Sequence, residues 1–234
     1  MHDGPIETKS PHPSFAKGGT GGFDMEAATA GYAAVILAAG ASIRMGTPKQ
    51  LLTFDGRTLI RRTIEAAQGA LCRPILVVLG AHADQIRPET ADLDVFVLQN
   101  PEWPEGMASS IRVAMQTLQA RTPAPGGAIL TVCDQPYVSS EHLRTLIQTS
   151  RSSRQPIVAS QYVGILGVPA LFAPNLWPEL LALTGESGAR SVIRRHVREV
   201  CPVPFPEGAC DLDTPDDILS IGARYFDAPP RERR

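Results

Sequence analysis

The sequence predicts an α/β fold in which a mostly parallel β-sheet carries helices on both faces. Short runs of aliphatic and β-branched residues alternate with amphipathic stretches along the chain, and this βαβ repetition is typical of a parallel sheet covered by helices. The 234 residues are 43% hydrophobic and 20% charged, which is the balance of a protein that buries one full core. The glycines and prolines follow no Gly-X-Y period, so fibrous classes are excluded. We therefore expect one large domain.

The alternation sets the order of the elements. We expect strands at five aliphatic runs, residues 33–37, 75–79, 94–98, 128–132 and 157–160. Amphipathic stretches predict helices at residues 58–68, 111–119 and 141–149, with a short helical turn at 84–87.

Capping signals mark two helix starts. Ser139 offers a hydroxyl cap and Glu141 a first-turn acid before an apolar stripe, as is favoured at helix N-termini. Thr214 can cap a second helix, because Pro215 suits the first helical position and the two acids after it favour the positive end of the helix dipole. We expect a helix to begin there.

The domain is expected to span residues 32–226, between a flexible N-terminal tail at 1–31 and a C-terminal tail at 227–234. The N-terminal segment mixes Pro, His, Ser and Gly and lacks the apolar region of a secretory signal. No run of about 18 apolar residues occurs anywhere in the chain. The net charge of -2 gives no general attraction to nucleic acid or anionic lipid. We expect a cytoplasmic protein with neither a nucleic-acid nor a membrane partner.

The cysteines and histidines form no recognisable site. The four cysteines include no Cys-x-x-Cys pair, which excludes a zinc knuckle or a thioredoxin-like motif, and reduced, packed thiols are expected. The five histidines offer no Ser-His-Asp or paired-His arrangement. His82 is interpreted as a surface cap in preference to a group that faces a ligand.

The loop after the first strand, residues 37–49, is the strongest candidate for a binding site. It combines small residues and two glycines with Arg44 and Lys49, at the carboxyl end of a parallel strand, where α/β sheets bind ligands. Small side chains let backbone N–H groups approach an anion, and the two cations suit a polyphosphate. The loop lacks Gly-Lys-Ser/Thr and is too long and too basic for Gly-x-Gly-x-x-Gly. An ordinary glycine-containing turn is the alternative.

The start of the predicted helix at 111–119 is a second candidate. Gly106 and the hydroxyls of Ser109 and Ser110 precede this helix, and free N–H groups at a helix start suit an anion or a ribose phosphate. For Ser109, a plain hydroxyl cap is an equal alternative. Trp103 is interpreted as a packing anchor of its loop and not as a base-stacking platform.

The loop resembles the signature loop of nucleotidyltransferases with a GT-A-like Rossmann core, and in detail that of the molybdenum cofactor cytidylyltransferase group. The loop reads Leu-Ala-Ala-Gly-x-Ser-x-Arg-Met-Gly-x-Pro-Lys-Gln-Leu-Leu from Leu37. Five further blocks similar to that group follow in order at residues 100–111, 133–136, 167–170, 185–190 and 211–217. The resemblance covers the chain from Tyr32 to about residue 224. It departs at Glu186, where the family often has Asp.

The resemblance implies a three-layer, Rossmann-like fold and the transfer of a nucleoside monophosphate from a triphosphate to the phosphate of molybdopterin or molybdenum cofactor, with release of pyrophosphate. It implies three catalytic residues, Arg44, Lys49 and Asp134. It implies nucleotide contacts at Leu37, Ala38, Ala39, Gly40, Ser42, Arg44, Lys49, Gly80, Ser109 and Ser110. Acceptor contacts are expected at Gly167, Pro169, Gly188 and Arg190, although Arg190 has a solvated helix position as its alternative. Partners are then a nucleoside triphosphate, a phosphorylated pterin-type acceptor and, transiently, a molybdoenzyme or its chaperone.

The resemblance also places Mg²⁺ on Asp134 and Asp213. Asp134 follows a predicted strand and Asp213 precedes a predicted helix, so two distant carboxylates can meet over one hard cation. A turn-initiating role for Asp134 and a capping role for Asp213 are the alternatives. Asp211 is a further candidate for the second ligand.

CTP is the expected triphosphate. Related guanylyltransferases have Gly where this loop has Ala39, and a methyl group beneath the base leaves less room for a purine. Three other functions remain open: a transferase of the same fold that acts on a sugar phosphate or another small phosphate, a non-catalytic nucleotide or cofactor carrier, and an NAD-dependent dehydrogenase, which the loop disfavours.

Overall fold

A seven-stranded sheet forms the centre of the structure, a computed structural model that describes residues 31–221. The strands, two of which form a separate small hairpin, are β1 (Tyr32–Ala38), β2 (Thr53–Phe54), β3 (Arg57–Thr58), β4 (Ile75–Leu79), β5 (Phe96–Gln99), β6 (Gly127–Val132), β7 (Ile157–Tyr162), β8 (Ile165–Phe172) and β9 (Val200–Pro204). The helices are α1 (Leu59–Gly69), α2 (Ala83–Ile86), α3 (Met107–Gln119), α4 (Ser140–Ser153), α5 (Trp177–Leu181), α6 (Ala189–Arg195) and α7 (Pro215–Ile221). The expected N-terminal tail up to residue 30, the domain end at 222–226 and the C-terminal tail lie outside the described residues.

The sheet is mostly parallel, as the sequence predicts. Its strand order is β5-β4-β1-β6-β8-β7-β9, and every neighbouring pair is parallel except the two pairs that contain β8. β8 runs antiparallel because a two-residue turn, Val163 and Gly164, joins it directly to β7, and both residues have positive φ. This geometry is that of a tight hairpin turn. The sequence pattern does not predict β8, because Val-Gly is not among the usual turn signals.

Helices cover both faces of the sheet and give the three expected layers. Alternate residues of β1 point to opposite faces, since side chains alternate along a strand. Ile36 packs with α1 and α4 on one face, and Val35 packs with α3, α5 and α6 on the other. Burial on both faces explains why β1 reads as an unbroken apolar run.

The register of the central strands brings their carboxyl ends to one edge. Ala38 at the end of β1 is paired with Leu79 at the end of β4, and Leu37 is paired with Val132 at the end of β6. The segments that follow these three strands therefore begin side by side.

The two helices begin where the capping signals place them, although the Thr214 hydroxyl donates to Asp217 and does not accept as a cap. The Ser139 hydroxyl accepts a hydrogen bond from the His142 N–H at the start of α4, and α7 begins at Pro215. Within residues 31–221, none of the helices has both the length and the hydropathy needed to cross a membrane. All four cysteines fall within this range and are free thiols.

Candidate active site

A cleft of about 710 Å³ opens at the carboxyl edge of the sheet. Five segments line it: the loop after β1, the connection from β5 into α3, the residues that end β6 and follow it, the segment before α6 and the stretch before α7. Of the nucleotide and metal residues expected from the sequence, those that line the cleft are Leu37, Ala38, Ala39, Gly40, Ser42, Arg44, Lys49, Ser110, Asp134 and Asp213. The structure thus brings these expected residues from four distant parts of the chain to one place.

A buried glutamine shapes the loop after β1. The Gln50 amide donates hydrogen bonds to the carbonyl oxygens of Ala38 at 3.1 Å and Gly40 at 2.9 Å, and its oxygen accepts one from the Ser42 hydroxyl at 3.3 Å. The same hydroxyl accepts a hydrogen bond from the Lys49 N–H at 3.1 Å. Because Gln50 is only 1% exposed, the loop is wrapped around a fixed polar anchor. Gln50 had no expected role. Its position between Lys49 and two leucines was a signal that it could be a buried polar anchor.

Gly80 and His82, which both follow β4, hold the loop after β1 from its other side. The His82 Nε2 atom lies 2.9 Å from the Ala41 carbonyl oxygen, and a carbonyl can only accept, so this nitrogen carries the proton. A Cβ atom on Gly80 would lie 2.6 Å from the Ala39 oxygen and 2.8 Å from the Trp103 Cβ. Gly80 therefore supports the loop through close packing and does not itself line the cleft.

Four side chains form what we call the charged cluster: Arg44, Lys49, Asp134 and Asp213. The Lys49 Nζ atom lies 2.5 Å from Asp134 Oδ2 and 3.0 Å from Asp213 Oδ1, and the Arg44 guanidinium lies 2.9 Å from Asp213 Oδ2. The Lys49 and Asp134 side chains are each 17% exposed. The second oxygen of Asp134 is buried and has no hydrogen-bond partner.

The surrounding charges alter the pKa values of Lys49 and Asp213. Burial alone would lower the pKa of Lys49, but the charge and the hydrogen bond of Asp134, helped by Asp213, raise it above its ordinary value. Burial would raise the pKa of Asp213, but the hydrogen bond and charge of Lys49, followed by the charge of Arg44, lower it. Both shifts favour the charged forms of Lys49 and Asp213, and the formal charges of the two cations and the two carboxylates cancel.

The segment before α7 is built to present Asp213 to the cluster. The Leu212 N–H donates a hydrogen bond to the Asp134 carbonyl at 2.9 Å. The Asp217 carboxylate accepts hydrogen bonds from the N–H groups of Asp213 and Thr214 and from the Thr214 hydroxyl. Asp217 therefore caps α7, and the Asp213 carboxylate is left to face Lys49.

Asp211 takes no direct part in the cluster. It does not line the cleft, and burial, followed by the charge of Asp134, raises the pKa of its carboxyl. Asp211 and Asp213 were the two candidates for the second metal ligand. Of these, Asp213 contacts Lys49, as Asp134 does.

A buried asparagine orders the start of α3. The Asn100 amide nitrogen donates to the hydroxyl oxygens of Ser109 at 2.8 Å and Ser110 at 3.0 Å. The Ser109 hydroxyl in turn donates to the Gly106 carbonyl at 2.9 Å, so it does not accept a helix N–H as a hydroxyl cap would. Ser110 lines the cleft. Gly106 has a φ of 119°, and a Cβ atom on it would lie 2.6 Å from the Gly185 carbonyl oxygen.

The expected acceptor residues lie on β8 and around the start of α6, and they do not line the cleft. These residues are Gly167, Pro169, Gly188 and Arg190. Arg190 donates to the Tyr162 hydroxyl at 3.1 Å. Gly188 lies against Met107, which does line the cleft. Glu186, on the same segment, reaches the cleft itself.

The two sides of the cleft differ in chemistry. Trp103, Pro104 and Met107 follow β5, whereas Asp134 follows β6. In the strand order, β1 lies between β4 and β6, so the small-residue loop runs between an apolar side and a charged side. This arrangement is complementary to a ligand that has a flat, weakly polar part at one end and a strongly anionic part at the other.

The charged cluster also has the donors of a hard-cation site. Two carboxylates face one point, and one of their oxygens is unpartnered. No group of three or more His, Cys, Asp or Glu side chains suited to a metal occurs within residues 31–221. Mg²⁺ commonly binds one or two carboxylates and completes its shell with water and phosphate oxygens, so the residues present fit this ion.

Comparison with known proteins agrees with this geometry. Residues 34–200 match the model of the MobA-like NTP transferase domain. Nicotine blue oxidoreductase of Paenarthrobacter nicotinovorans is 30% identical over 169 residues, which cover 69% of this chain and 80% of that protein. Molybdenum cofactor cytidylyltransferase of Escherichia coli is 23% identical over 192 residues, 82% of this chain and 95% of that protein.

A solved structure has the same architecture. Rv0371c of Mycobacterium tuberculosis superposes with a TM-score of 0.70 at 29% identity, over 82% of this chain and 97% of that one. A complex of that protein with manganese has a TM-score of 0.65 at 27% identity, with the same coverage.

Proposed function

The chain belongs to the family of MobA-like NTP transferase domains, and we propose that this nucleotidyltransferase joins the nucleoside monophosphate of CTP to the phosphate of a molybdopterin-type cofactor. One observation carries the proposal: Lys49 contacts Asp134 and Asp213 in a cleft that is also lined by the loop of small residues after β1. A nucleotidyl transfer needs cations and backbone donors around a triphosphate, and this cluster and loop offer both.

In the proposed reaction an acceptor phosphate oxygen attacks the α-phosphorus of CTP. A new P–O–P bond forms, the bond between the α- and β-phosphates breaks, and pyrophosphate leaves. A phosphate monoester has a second pKa of about 6 and is already ionised at neutral pH. The reaction therefore requires no general base. This fits a described cleft whose lining contains no histidine.

This chain's residues would position and neutralise the phosphates. Arg44, Lys49 and the N–H groups of the loop stabilise the charge that develops on the triphosphate in the transition state. Asp134 and Asp213 would hold Mg²⁺, which supplies the positive charge that the cluster lacks, because its own four charges cancel. The manganese complex of the mycobacterial relative supports a divalent cation in this fold.

We assign the base and ribose to the apolar side of the cleft. Ala39, Trp103 and Ser110 lie there or border it, and the Ala39 methyl group supports CTP over a purine nucleotide. For the acceptor we propose the segment with Gly188 and Arg190 together with Gly167 and Pro169 of β8. The E. coli relative, named a molybdenum cofactor cytidylyltransferase, supports a pterin acceptor. Delivery of the product to a molybdoenzyme or its chaperone is part of the same proposal.

The relative named nicotine blue oxidoreductase supports a second candidate function. Its 30% identity makes an oxidoreductase on the same fold an alternative for this chain. The charged cluster favours the transferase, because a hydride transfer has no use for a paired carboxylate site that suits a hard cation.

Pyrophosphate release with each of the four nucleoside triphosphates, with and without molybdenum cofactor, tests the proposal. We expect release that depends on Mg²⁺, on the cofactor and on CTP. Parallel reactions with a sugar phosphate and another small phosphate separate the acceptors, and oxidation of NADH or NADPH measures the redox alternative. The absence of pyrophosphate with every pairing would overturn the transferase and favour a carrier. The control variant is Arg61→Met, because Arg61 pairs with Asp92 outside the cleft.

A further inference from the structure

The Lys49 ammonium group occupies the place where a cation shared by the two carboxylates would bind. Its nitrogen lies 2.5 Å from an Asp134 oxygen and 3.0 Å from an Asp213 oxygen. Mg²⁺ binds oxygen ligands at about 2.0–2.1 Å. An ammonium group and a divalent ion therefore cannot both lie between these two carboxylates, since their charges repel strongly at such short range.

Lys49 is held at its backbone, while its ammonium group is fixed by its two carboxylate partners. Its N–H donates to the Ser42 hydroxyl, which is in turn bonded to the buried Gln50. The four-carbon stem can swing away from the carboxylates while the backbone stays in place. Arg44 is different, because its side chain is 69% exposed and, within residues 31–221, it forms an ion pair with Asp213 and with no other carboxylate.

Asp134 needs a cation whether or not a ligand is bound. Its side chain is mostly buried, and an unpaired buried carboxylate is strongly destabilising. Lys49 can therefore leave only when another cation replaces it, and it needs another anion to move to. A triphosphate that arrives with its metal supplies both at once.

We propose that Lys49 is a placeholder for the divalent cation: it fills the carboxylate pair until a nucleoside triphosphate draws it away, so that the ion binds tightly only together with the nucleotide. This inference rests on the proposed function, because it requires a triphosphate in the cleft. Metal and nucleotide then bind with positive coupling, and each raises the affinity of the protein for the other by the same factor.

Mn²⁺ binding to the nucleotide-free protein, measured by electron paramagnetic resonance, tests the placeholder role. Wild-type protein should bind Mn²⁺ weakly. The Lys49→Met variant should bind it about tenfold more tightly or better, because a like charge has left the site. Adding Asp213→Asn to this variant should remove the gain, and Arg61→Met should behave as wild type.

Circular dichroism melting verifies that each variant is folded. If Lys49→Met melts early, Lys49→Gln keeps an amide donor for Asp134 and should show the same gain. Equal or weaker Mn²⁺ binding by both folded variants would overturn the placeholder role. The two proposals fail separately: wild-type protein that releases no pyrophosphate under any condition refutes the transferase, while the Mn²⁺ comparison addresses Lys49 without any turnover.

Discussion

The molecule has two mostly buried polar groups of side chains. One is the Lys49–Asp134 part of the charged cluster, at the cleft. The other, which we call the His142 cluster, consists of His142 and Ser160 and lies between α4 and the β7–β8 hairpin. In the second, His142 Nε2 lies 2.7 Å from the Ser160 hydroxyl, which donates to the Pro169 carbonyl at 2.6 Å. Since the serine proton goes to Pro169, the histidine nitrogen is the donor to Ser160. The His142 ring also stacks on Phe205 with centroids 4.1 Å apart.

The two clusters differ in whether their hydrogen bonds are complete. The chain from His142 to Pro169 uses the Ser160 hydroxyl as both donor and acceptor, and Ser160 is fully buried. The charged cluster leaves one oxygen of Asp134 without a partner and opens into the cleft. A closed chain stabilises a fold, whereas an open one can accept a ligand. The comparison predicts that changes in the charged cluster impair activity and that changes in the His142 cluster impair stability.

The largest effect is expected for Asp134→Asn. The amide keeps the shape of the side chain and loses the charge that holds Lys49 and a hard cation. Magnesium-dependent pyrophosphate release should fall by about a hundredfold or more, as steady-state assays over a range of Mg²⁺ concentrations would measure. Unchanged metal dependence in this variant would refute the assignment of Asp134.

Ser160→Ala should lower stability, and its effect on turnover should be small beside that of Asp134→Asn, because Ser160 reaches the proposed acceptor site only through the Pro169 carbonyl. The substitution leaves the His142 N–H buried without its acceptor, and an unsatisfied buried donor costs about 1–3 kcal/mol. Urea unfolding followed by circular dichroism measures the loss. A large fall in turnover of the folded variant would instead mean that this cluster takes part in the reaction.

The His142 cluster also predicts a pH dependence of stability. Burial lowers the pKa of His142 from 6.5 to about 4, against a smaller opposing effect of the Glu207 charge. The unfolded chain therefore binds more protons than the native protein between these values, so the free energy of unfolding falls as the pH is lowered from about 6.5 to 4. Chemical denaturation at several pH values should show this slope, and His142→Gln should reduce it.

The smallest effect is expected within the cleft itself, for Ala39→Gly. Loss of one methyl group changes discrimination between bases by about 1–3 kcal/mol, roughly 10- to 200-fold. We expect the ratio of catalytic efficiency with CTP to that with GTP to fall by about tenfold, the lower end of this range. A parent enzyme that prefers GTP, or a ratio that does not respond to the substitution, would reject the steric explanation.

Local patterns were enough to predict most of the sheet and the charged side of the cleft. Arg44 and Lys49 lie in a loop whose composition is unusual, and Asp134 comes two residues after the end of an apolar strand. Knowing that the strands are parallel then places these residues at one edge. Asp213 was recognised only through the family resemblance and a helix-start signal, and its contact with Lys49 spans 164 residues.

Other parts of the site depend on contacts that no local pattern reveals. Asn100 and Gln50 are buried amides that hold loops through hydrogen bonds to backbone and hydroxyl groups. A polar residue in a loop looks the same in the sequence whether it faces solvent or anchors the backbone. Ser109 and Gly80 were expected in the nucleotide site, but Ser109 donates a hydrogen bond to the Gly106 carbonyl and Gly80 packs closely against the loop after β1.

The cancelled charges of the cluster have a consequence for the speed of encounter with substrate. Arg44 and Lys49 are each matched by a carboxylate within 3.0 Å, and the whole chain carries a net charge of only -2. The charged cluster has no net charge, and Glu186 adds one negative charge to the lining, so the cleft does not attract an anionic nucleotide over distances beyond about a Debye length. Capture then follows ordinary diffusion, and the association rate should vary little with ionic strength.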